Sequence, residues 1–479
     1  MDVKELEAGV DAYVDEVWDD VLADISALVS HASVADATQA EPAAPFGPAV
    51  RGALDCALGI AERLGYATSD DDGFVGMADI PGREPAAGQL ATIAHVDVVP
   101  AGPGWNTDPF AMERREGWLL GRGVIDDKGP AVLALYAGAY LKRLDGGPRH
   151  PFRALLGCDE EVGMTDVHHY LEGHEQPAFL FTPDAEFPVC NAEKGCFGAT
   201  LTSGPIEGGR IVSWSGAEAT NAIPGESELL LAVDPARLPA PRAHADRITV
   251  EPTGEGRARI HAHGIGGHAS LPAGTLNAIG LVAGYLREAV TADPSLLAAG
   301  ERRFLKLLAY LMADSTGEAV GIACADEAFG ALTLNAGTIE VTEEGRLAQT
   351  LDIRYPAATT GASIAAALEP LAAAHGASLT VTRDKVPFSV SADSPAVRTL
   401  IDTYNEVTGE HAEPFAIGGG TYARNFERAV SFGPEDSRME LPVWGGAMHG
   451  PNECANEALL RRALKIYILA LLRLDQLDL

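Results

Sequence analysis

Apolar runs alternate with a helix-patterned segment in the first part of the chain, from about residue 88 to 184. The runs read QLATIAHVDVV, then the helical GPAVLALYAGAYLKRL, then PFRALLGCDEE and PAFLFTPDAE. This alternation predicts an α/β layer with a central, mostly parallel sheet flanked by helices. Polar residues cluster just after the apolar runs, where open α/β sheets place their ligands. We therefore expect the chemistry of the protein at these strand ends.

The pattern changes between about residues 195 and 386. Segments such as ELLLAVD, RITVEP, RARIHAHG and GRLAQTLDIRY alternate polar and apolar positions, and TLNAIGLVAGYLREAV has helical periodicity. Strands with fewer helices predict a second, α+β domain. The α/β pattern returns at SPAVRTLIDTYNEVTG. We therefore predict an α/β domain in two parts, 1–194 and 387–479, with the α+β domain 195–386 inserted between them.

Two helix-patterned segments near the ends of the sequence indicate where in the cell the protein is expected. MDVKELEAGVDAYVDEVWDD is acidic and lacks the basic and apolar regions of an export signal. LLRRALKIYILALLRL carries four basic residues, so we predict a packed C-terminal helix and no membrane association. The six cysteines lie far apart without a zinc-binding spacing, which favours reduced thiols and a cytoplasmic protein.

Net charge narrows the range of partners. The 479 residues include 35 Lys and Arg against 68 Asp and Glu, so the formal net charge is −33. Such a surface is poorly suited to a phosphate backbone or an anionic membrane. We therefore expect no nucleic-acid partner, and we interpret the charge mainly as a solvated acidic surface.

One histidine and several acidic residues follow the apolar runs. They are His95 and Asp97 in HVDVVP, Asp126 and Asp127 in DDK, Glu160 and Glu161 in DEE, and Asp184 and Glu186 in TPDAEFP. So many carboxylates in one cleft stay ionised only if a cation lies among them. Nitrogen and oxygen ligands favour zinc, with Mn²⁺ or Co²⁺ as substitutes, and two ions rather than one. Each motif alone is also compatible with a solvated acidic turn.

Spacing suggests separate roles within these motifs. In an extended segment His95 and Asp97 point to the same face, so Asp97 can accept the second ring N–H of a ligating His95. Glu160 and Glu161 point in different directions. One of them can therefore bind metal while the other acts as a general base.

The motifs together resemble a known family. HVDVVP, GRGVIDDKGP, GCDEEVGM, TPDAEFP and MHGPNE look like those of the di-zinc metallopeptidases that include carnosinase, bacterial carboxypeptidase G and succinyl-diaminopimelate desuccinylase. The PepV-type dipeptidases are the most similar group. The motifs occur in the same order and, with GGGTYAR, extend over nearly the whole chain.

The resemblance implies two Zn²⁺ ions per chain. Asp126 would bridge them and be followed by a cis peptide bond to Asp127. His95 and Asp184 would complete one site, and Glu161 and His449 the other. Glu160 would deprotonate a metal-bridging water, which becomes the attacking hydroxide, and Asp97 would orient His95.

The resemblance also makes the inserted domain a lid over the active site. His268 in GIGGHASLP would stabilise the oxyanion, and Asn221 and Arg354 would contact the carbonyl or carboxylate of the substrate. From the residues alone, His268 is more simply a structural or exposed histidine. Arg354 is equally compatible with an ordinary surface cation or ion-pair member.

The segment FAIGGGTYARNF is a candidate anion-binding turn. Gly419 and Gly420 allow the backbone to approach a ligand closely, Thr421 adds a hydroxyl group and Arg424 a charge. A plain flexible turn is the alternative. In similar dipeptidases this segment holds the C-terminal carboxylate of the substrate.

Other histidines and cysteines are not expected to be functional. This group comprises His168, His169 and His174 in an exposed helix end, His261 and His263 as a structural pair on a lid strand, and Cys158 as a small buried hydrophobe.

We therefore predict a monomeric metal-dependent dipeptidase acting on small peptides with a free amino terminus. A deacylase or carboxypeptidase acting on N-acyl amino acids is the alternative, because the same di-metal core serves both. A binding protein without turnover is a third possibility, but every expected ligand position is filled. The long lid, with ERRFLKLLAYLMADS as an extra helix, resembles that of enzymes in which one chain closes its own site.

Overall fold

The chain folds into two compact units. The computed structural model describes residues 3–217, 219–254 and 256–479. The first unit comprises Met1–Asn191, Ser389–Phe415 and Gly420–Leu479, and the inserted unit comprises Ala192–Phe388 and Ala416–Gly419. Ala416–Gly419 is remote in sequence from the rest of the inserted unit, so the alternation of strands offers no signal for this grouping.

The first unit is built around a twisted sheet with a parallel centre. Its strands, in spatial order, are Ala67–Asp71, Val75–Ile80, Phe152–Gly157, Leu90–His95, Phe179–Thr182 and Ala429–Ser431. Leu90–His95 runs parallel to both of its neighbours, and Phe179–Thr182 runs parallel to Ala429–Ser431. Every residue of Leu90–His95 is buried, as expected for a parallel strand covered on both faces.

Helices accompany this sheet in the first unit. They are Val3–Val29, Pro48–Arg63, Lys128–Tyr140, Thr165–Gly173, Pro395–Thr408 and Glu457–Leu474. Lys128–Tyr140 is almost wholly buried and packs against Glu457–Leu474, the C-terminal helix predicted from the sequence. A small antiparallel sheet of Cys454–Asn456, Trp118–Leu120 and Glu113–Arg115 lies in the same unit. The strands Cys190–Glu193, Phe388–Ser389 and Phe415–Ile417 occur where the chain passes from one unit to the other.

The inserted unit contains two four-stranded antiparallel sheets. One has the order Ile211–Ser215, Glu226–Leu231, Ala258–His263, Ile248–Pro252, and the other Thr333–Val341, Leu347–Tyr355, Gly195–Ser203, Ala377–Lys385. Its helices are Ala278–Ala292, Ala299–Leu311 and Gly361–Ala374, and its two-residue strands are Ala222–Ile223, Gly267–His268, Ala325–Asp326 and Gly330–Ala331. Ser227, Leu229 and Leu231 are buried whereas Glu226 and Glu228 are exposed, so alternation in the sequence matches one covered face.

The predicted fold class, a mixed α/β protein with a partly parallel sheet and an α+β insertion, is confirmed. None of the helices in the described part of the chain combines the length and apolar character needed to cross a lipid bilayer.

Candidate metal centre

Three neighbouring parallel strands bring the predicted ligands to one edge of the first unit. His95 is the last residue of its strand and lies opposite Gly157, the last residue of the adjacent strand. Glu160 and Glu161 follow Gly157 after a short turn, and Asp184 follows the strand Phe179–Thr182. Because the carboxyl ends of parallel strands share an edge, residues remote in sequence converge here.

Asp126 lies between two histidines. Its Oδ1 is 3.0 Å from His95 Nε2, and its Oδ2 is 2.8 Å from His449 Nε2. Asp184 Oδ2 lies 3.8 Å from His95 Nε2, and Glu161 Oε2 lies 3.1 Å from His449 Nε2. The five residues proposed from the sequence as ligands therefore lie together, with Asp126 in the central position. The peptide bond from Asp126 to Asp127 is cis, as the resemblance implies.

The two adjacent glutamates face different neighbours. Donor atoms of Glu160, His95 and Asp184 lie within 4.8 Å of one another, and so do those of Glu161, His95 and Asp126. Glu161 Oε1 is buried and has no hydrogen-bond partner among the described residues. A buried carboxylate oxygen without a donor is costly unless a cation occupies the adjacent space, so this atom fits a metal ligand.

Asp97 contacts His95 through two of its oxygens. His95 Nδ1 is 3.0 Å from the backbone carbonyl oxygen of Asp97 and 3.4 Å from its Oδ1. The carboxylate also accepts hydrogen bonds from the backbone N–H groups of Glu160 and Glu161, at 3.3 and 3.2 Å. Asp97 is thus placed to orient both the imidazole ring and the adjacent glutamates, a wider set of contacts than the sequence suggested.

The charges of this cluster favour a cation. Burial, followed by the charge of Asp126, raises the pKa of Asp184 to about 7, and burial with the charge of Asp184 raises the pKa of Glu160 well above its usual range. The hydrogen bond to Asp126 is the main cause that raises the pKa of His449 to about 11. The raised pKa values mean that these carboxyl and imidazole groups retain protons in the absence of a cation. They release these protons when a divalent cation binds.

The chemistry of the donors also fits the predicted metal. The cluster offers imidazole nitrogen and carboxylate oxygen, a set that suits zinc and accepts manganese or cobalt. Cys158 is buried nearby in sequence, and burial raises the pKa of its thiol well above its usual range. A protonated thiol of this kind is a poor metal ligand.

Glu453 supports the Asp126 loop and was not singled out from the sequence. Its Oε1 accepts hydrogen bonds from the backbone N–H groups of Gly123 and Ile125, at 3.0 and 3.2 Å. Its Oε2 pairs with Arg122 Nη1 at 2.5 Å, and both side chains are essentially fully buried. Burial raises the pKa of Glu453 to about 7 against the opposing effect of Arg122. Glu453 belongs to the MHGPNE motif, but neither spacing nor residue type indicates a partner more than 300 residues away.

Glu435 is a second functional candidate that sequence reasoning missed. It is bridged through the backbone to Glu186, and both residues line a cavity of the first unit together with Ile125, Met439 and Met448. Burial, followed by the negative charge of Asp184, raises the pKa of Glu435 well above its usual range. Two residues with carboxyl groups therefore line this cavity, and one of them, Glu435, is close enough to Asp184 for its charge to act on it. The surrounding SFGPEDS contains no signal for this placement.

Comparison with known proteins places these residues in a family. Residues 91–473 match the family described as "Peptidase family M20/M25/M40". The chain belongs to this peptidase family. The resemblance found in the sequence motifs is thereby confirmed, and so is the expectation of a hydrolase. The clustered histidine and carboxylate groups fit the metal dependence of M20 peptidases.

Individual relatives agree in sequence and in fold. The chain is 34% identical over 428 residues to a protein of Bacillus subtilis (strain 168) named "Putative dipeptidase YtjP", and the match covers 87% of this chain and 90% of the relative. The crystal structure of human carnosine dipeptidase 1 superimposes with a TM-score of 0.60 at 16% identity, covering 98% of this chain and 99% of the other. The M20 family metallo-carboxypeptidase Sso-CP2 from Sulfolobus solfataricus gives 0.58 at 17% identity, covering 95% and 99%.

Two predicted lid residues of this M20 peptidase lie side by side in the inserted unit. His268 is exposed and belongs to the strand Gly267–His268, which pairs with Ala222–Ile223. The carbonyl oxygen of Asn221 accepts a hydrogen bond from Ala269 N at 2.8 Å. His268 Nδ1 lies 2.6 Å from Ser270 Oγ, which leaves Nε2 as the ring atom directed away from this contact.

Arg354 is a buried ion-pair member. Its Nε lies 2.6 Å from Asp352 Oδ1, and its Nη1 donates to the carbonyl oxygen of Gly418 at 2.6 Å. The guanidinium therefore holds the glycine-rich segment within the inserted unit, which contains Gly418 and Gly419. The predicted contact with substrate stays a prediction.

The remaining predicted carboxylate-binding residues belong to the first unit. Gly420, Thr421 and Arg424 follow directly on the glycine pair in sequence. Thr421 is buried, its Oγ1 accepts from Ala423 N at 3.1 Å, and it shares a hydrogen bond of 2.9 Å with Ser431 Oγ. Its hydroxyl group thus caps the turn Tyr422–Asn425 in addition to any role towards a ligand.

Proposed function

We propose that the chain is a metal-dependent dipeptidase that hydrolyses the peptide bond of dipeptides with a free amino terminus. Membership of the M20 family supports peptide hydrolysis, and the similarity to YtjP supports dipeptides. One observation carries the choice of substrate. Glu186 and Glu435 line one cavity of the first unit, and the charge of Asp184 acts on Glu435; in this proposal their carboxyl groups accept hydrogen bonds from the ammonium group of the substrate.

The proposal assigns two divalent cations, zinc by donor chemistry, to the candidate centre. Asp126 would contact both, His95 and Asp184 would hold one, and Glu161 and His449 the other. When bound, the cations supply a lowered pKa for water and polarisation of the scissile carbonyl. The central position of Asp126 between the two histidines supports this division of ligands.

Glu160 is assigned the proton transfers. Its carboxylate accepts a proton from the attacking water as the oxygen forms a bond with the peptide carbon. When the carbon–nitrogen bond breaks, Glu160 delivers that proton to the leaving amine nitrogen. A general base is most effective when its pKa lies near the working pH. The Asp97 carboxylate keeps Glu160 in place by accepting a hydrogen bond from the backbone N–H of Glu160.

The remaining residues are assigned to the substrate. His268 would donate a hydrogen bond to the developing oxyanion, with Asn221 beside it. Gly419, Gly420, Thr421, Arg424 and Arg354 would hold the C-terminal carboxylate. The same proposal includes a monomer, because the inserted unit carries the additional helix Ala299–Leu311 expected of chains that close their own site. A cytoplasmic location is also part of the proposal.

The alternative function is a carboxypeptidase or deacylase acting on N-acyl amino acids. Sso-CP2, which shares the fold, is named a metallo-carboxypeptidase. An N-acyl group carries no positive charge, so a pocket that uses two carboxyl groups to bind an ammonium group would disfavour it. Glu186 and Glu435 therefore argue for the dipeptidase.

Parallel assays distinguish these functions. The zinc-loaded chain is given Ala-Ala, β-alanyl-histidine and N-acetylalanine, before and after chelation. The proposal expects metal-dependent cleavage of the dipeptides and little or none of the N-acetyl amino acid. Faster cleavage of N-acetylalanine than of the dipeptides would contradict the dipeptidase function and support the deacylase function. A metal-loaded chain that cleaves none of the three would be a binding protein.

A further inference from the structure

Two histidines and a glutamate converge on the exposed face of a sheet in the inserted unit. His261 and His263 lie two positions apart on the strand Ala258–His263, so they point to the same face. This strand lies inside its four-stranded sheet, between Glu226–Leu231 and Ile248–Pro252. Glu226 pairs directly with His263 across the strands, so its side chain is on that face too.

The three side chains are close enough to share one cation. His261 Nε2 is 3.0 Å from Glu226 Oε2, and His263 Nδ1 is 2.8 Å from Glu226 Oε1. One donor atom from each residue lies within 4.8 Å of the other two. The imidazole rings are 4.4 Å apart and inclined by 80°. This arrangement adds a shared carboxylate to the structural histidine pair expected from the sequence.

Ion pairing alone explains this cluster poorly. Glu226 is 62% exposed and His263 53% exposed, and ion pairs in such positions contribute only about 0–1 kcal/mol. A single cationic partner is also enough to form an ion pair with one carboxylate, so ion pairing does not account for the second histidine. Two neutral imidazoles and a carboxylate, by contrast, form a donor set that zinc uses when three protein ligands leave one position open to water.

We propose that Glu226, His261 and His263 bind a divalent transition-metal ion, zinc by donor type, at a site separate from the candidate metal centre of the first unit. The strand backbone fixes the two histidines relative to each other, because the central strand has hydrogen-bonded neighbours on both sides. Glu226 and His263 are exposed and His261 is partly exposed, which gives a hydrated cation direct access. The site depends on no residue of the proposed dipeptidase mechanism.

A cation at this site would tie together the two strands from which the His268 segment extends. Gly264, directly after His263, donates its N–H to the carbonyl oxygen of Gly225, directly before Glu226, at 2.7 Å. Beyond this contact the same two chain segments pair again as Gly267–His268 with Ala222–Ile223. The bound ion would therefore reinforce the base of the segment that carries His268.

Zinc stoichiometry tests the proposal on the full-length chain. Wild type, H261A/H263A and E226Q are dialysed against a series of buffered free-zinc concentrations, and zinc per chain is measured by mass spectrometry. The matched control is H168A/H411A, which removes two exposed histidines of the first unit, one in the helix Thr165–Gly173 and the other in a loop. Circular dichroism verifies that each variant is folded.

The expected result is one zinc per chain fewer in H261A/H263A than in wild type, with the control unchanged. E226Q keeps both imidazoles and the shape of the side chain, so it should shift the corresponding binding step to higher free zinc. If H261A/H263A does not fold, E226Q alone decides. Equal zinc content in wild type, H261A/H263A and E226Q at every free-zinc concentration would overturn the proposal.

Discussion

Glu453 Oε1 lies 3.4 Å from the backbone nitrogen of Asp126, so a residue near the C-terminal helix fixes the loop that carries the central carboxylate. The same oxygen accepts from Gly123 and Ile125, and the other oxygen pairs with Arg122. Three backbone hydrogen bonds and one buried ion pair thus converge on one side chain. The position of Asp126 therefore depends on this contact, since Asp126 lies in a loop outside the strands.

Replacing Glu453 by Gln is expected to destabilise the fold. The change leaves the guanidinium of Arg122 buried without its carboxylate, which typically costs about 3–5 kcal/mol in the free energy of unfolding. Urea denaturation at about pH 8 measures this loss, because the carboxyl group with its pKa of about 7 is then ionised in the folded chain. The control is Glu344→Gln, which removes an exposed partner of Arg346 and should cost at most about 1 kcal/mol. Equal stability of the two variants would contradict the role of Glu453.

The adjacent glutamates of the DEE motif should give different kinetic and metal phenotypes. Glu160→Gln removes the proton carrier, so kcat is expected to fall by roughly 100-fold to 10,000-fold while metal content is retained. Glu161→Gln removes a ligand and should instead lower metal content. Metal analysis together with initial rates on Ala-Ala separates the two effects. Loss of metal in Glu160→Gln with full metal in Glu161→Gln would reverse the assigned roles.

The Glu186 and Glu435 pair should control the choice between dipeptides and N-acyl amino acids. Glu435→Gln removes a charge-assisted hydrogen bond to the substrate ammonium group, worth about 1.5–3 kcal/mol. We expect kcat/KM on Ala-Ala to fall roughly tenfold to 100-fold, with no further loss on N-acetylalanine. Glu440→Gln, an exposed glutamate of the same segment, is the control. An equal loss on both substrates would show that Glu435 serves the fold or the metal and does not recognise the amino group.

Asp166 should make stability depend on pH. Burial raises its pKa to about 6 despite hydrogen bonds from Tyr422 and Cys158. The folded chain therefore binds this proton more tightly than the unfolded chain, whose aspartate titrates near its ordinary value of 3.8. The stabilising contribution is complete below about pH 4 and is lost as pH rises through about 6, a change of about 3 kcal/mol.

Asp166→Asn removes this titration. Urea denaturation of the chelated protein across that interval should show a difference in free energy of unfolding between wild type and Asp166→Asn that varies with pH. A difference that stays constant from about pH 4 to about pH 7 would contradict the raised pKa. Chelation keeps proton release by metal ligands out of the comparison.

The strand-end residues were predictable because the apolar runs and the topology of parallel strands determine where they lie. His95, Glu161 and Asp184 each follow a run that the sequence marks clearly, so their convergence follows from the fold class. Glu453 and Glu435 were not predictable in the same way. Their roles arise from contacts with residues remote in sequence, and no local periodicity encodes such contacts. The grouping of Ala416–Gly419 with the inserted unit has the same origin, since Arg354 reaches Gly418 across a long stretch of chain.

Substitution of Asp126 by Ala tests the central claim most directly, because this side chain lies between both histidines of the candidate centre. Zinc per chain and the rate of Ala-Ala cleavage are measured for wild type, Asp126→Ala and the control Asp145→Ala, an exposed aspartate of the same unit. We expect Asp126→Ala to lose zinc from the first unit and to fall to background cleavage, while Asp145→Ala matches wild type. Undiminished zinc content and cleavage in Asp126→Ala would contradict a shared metal cage.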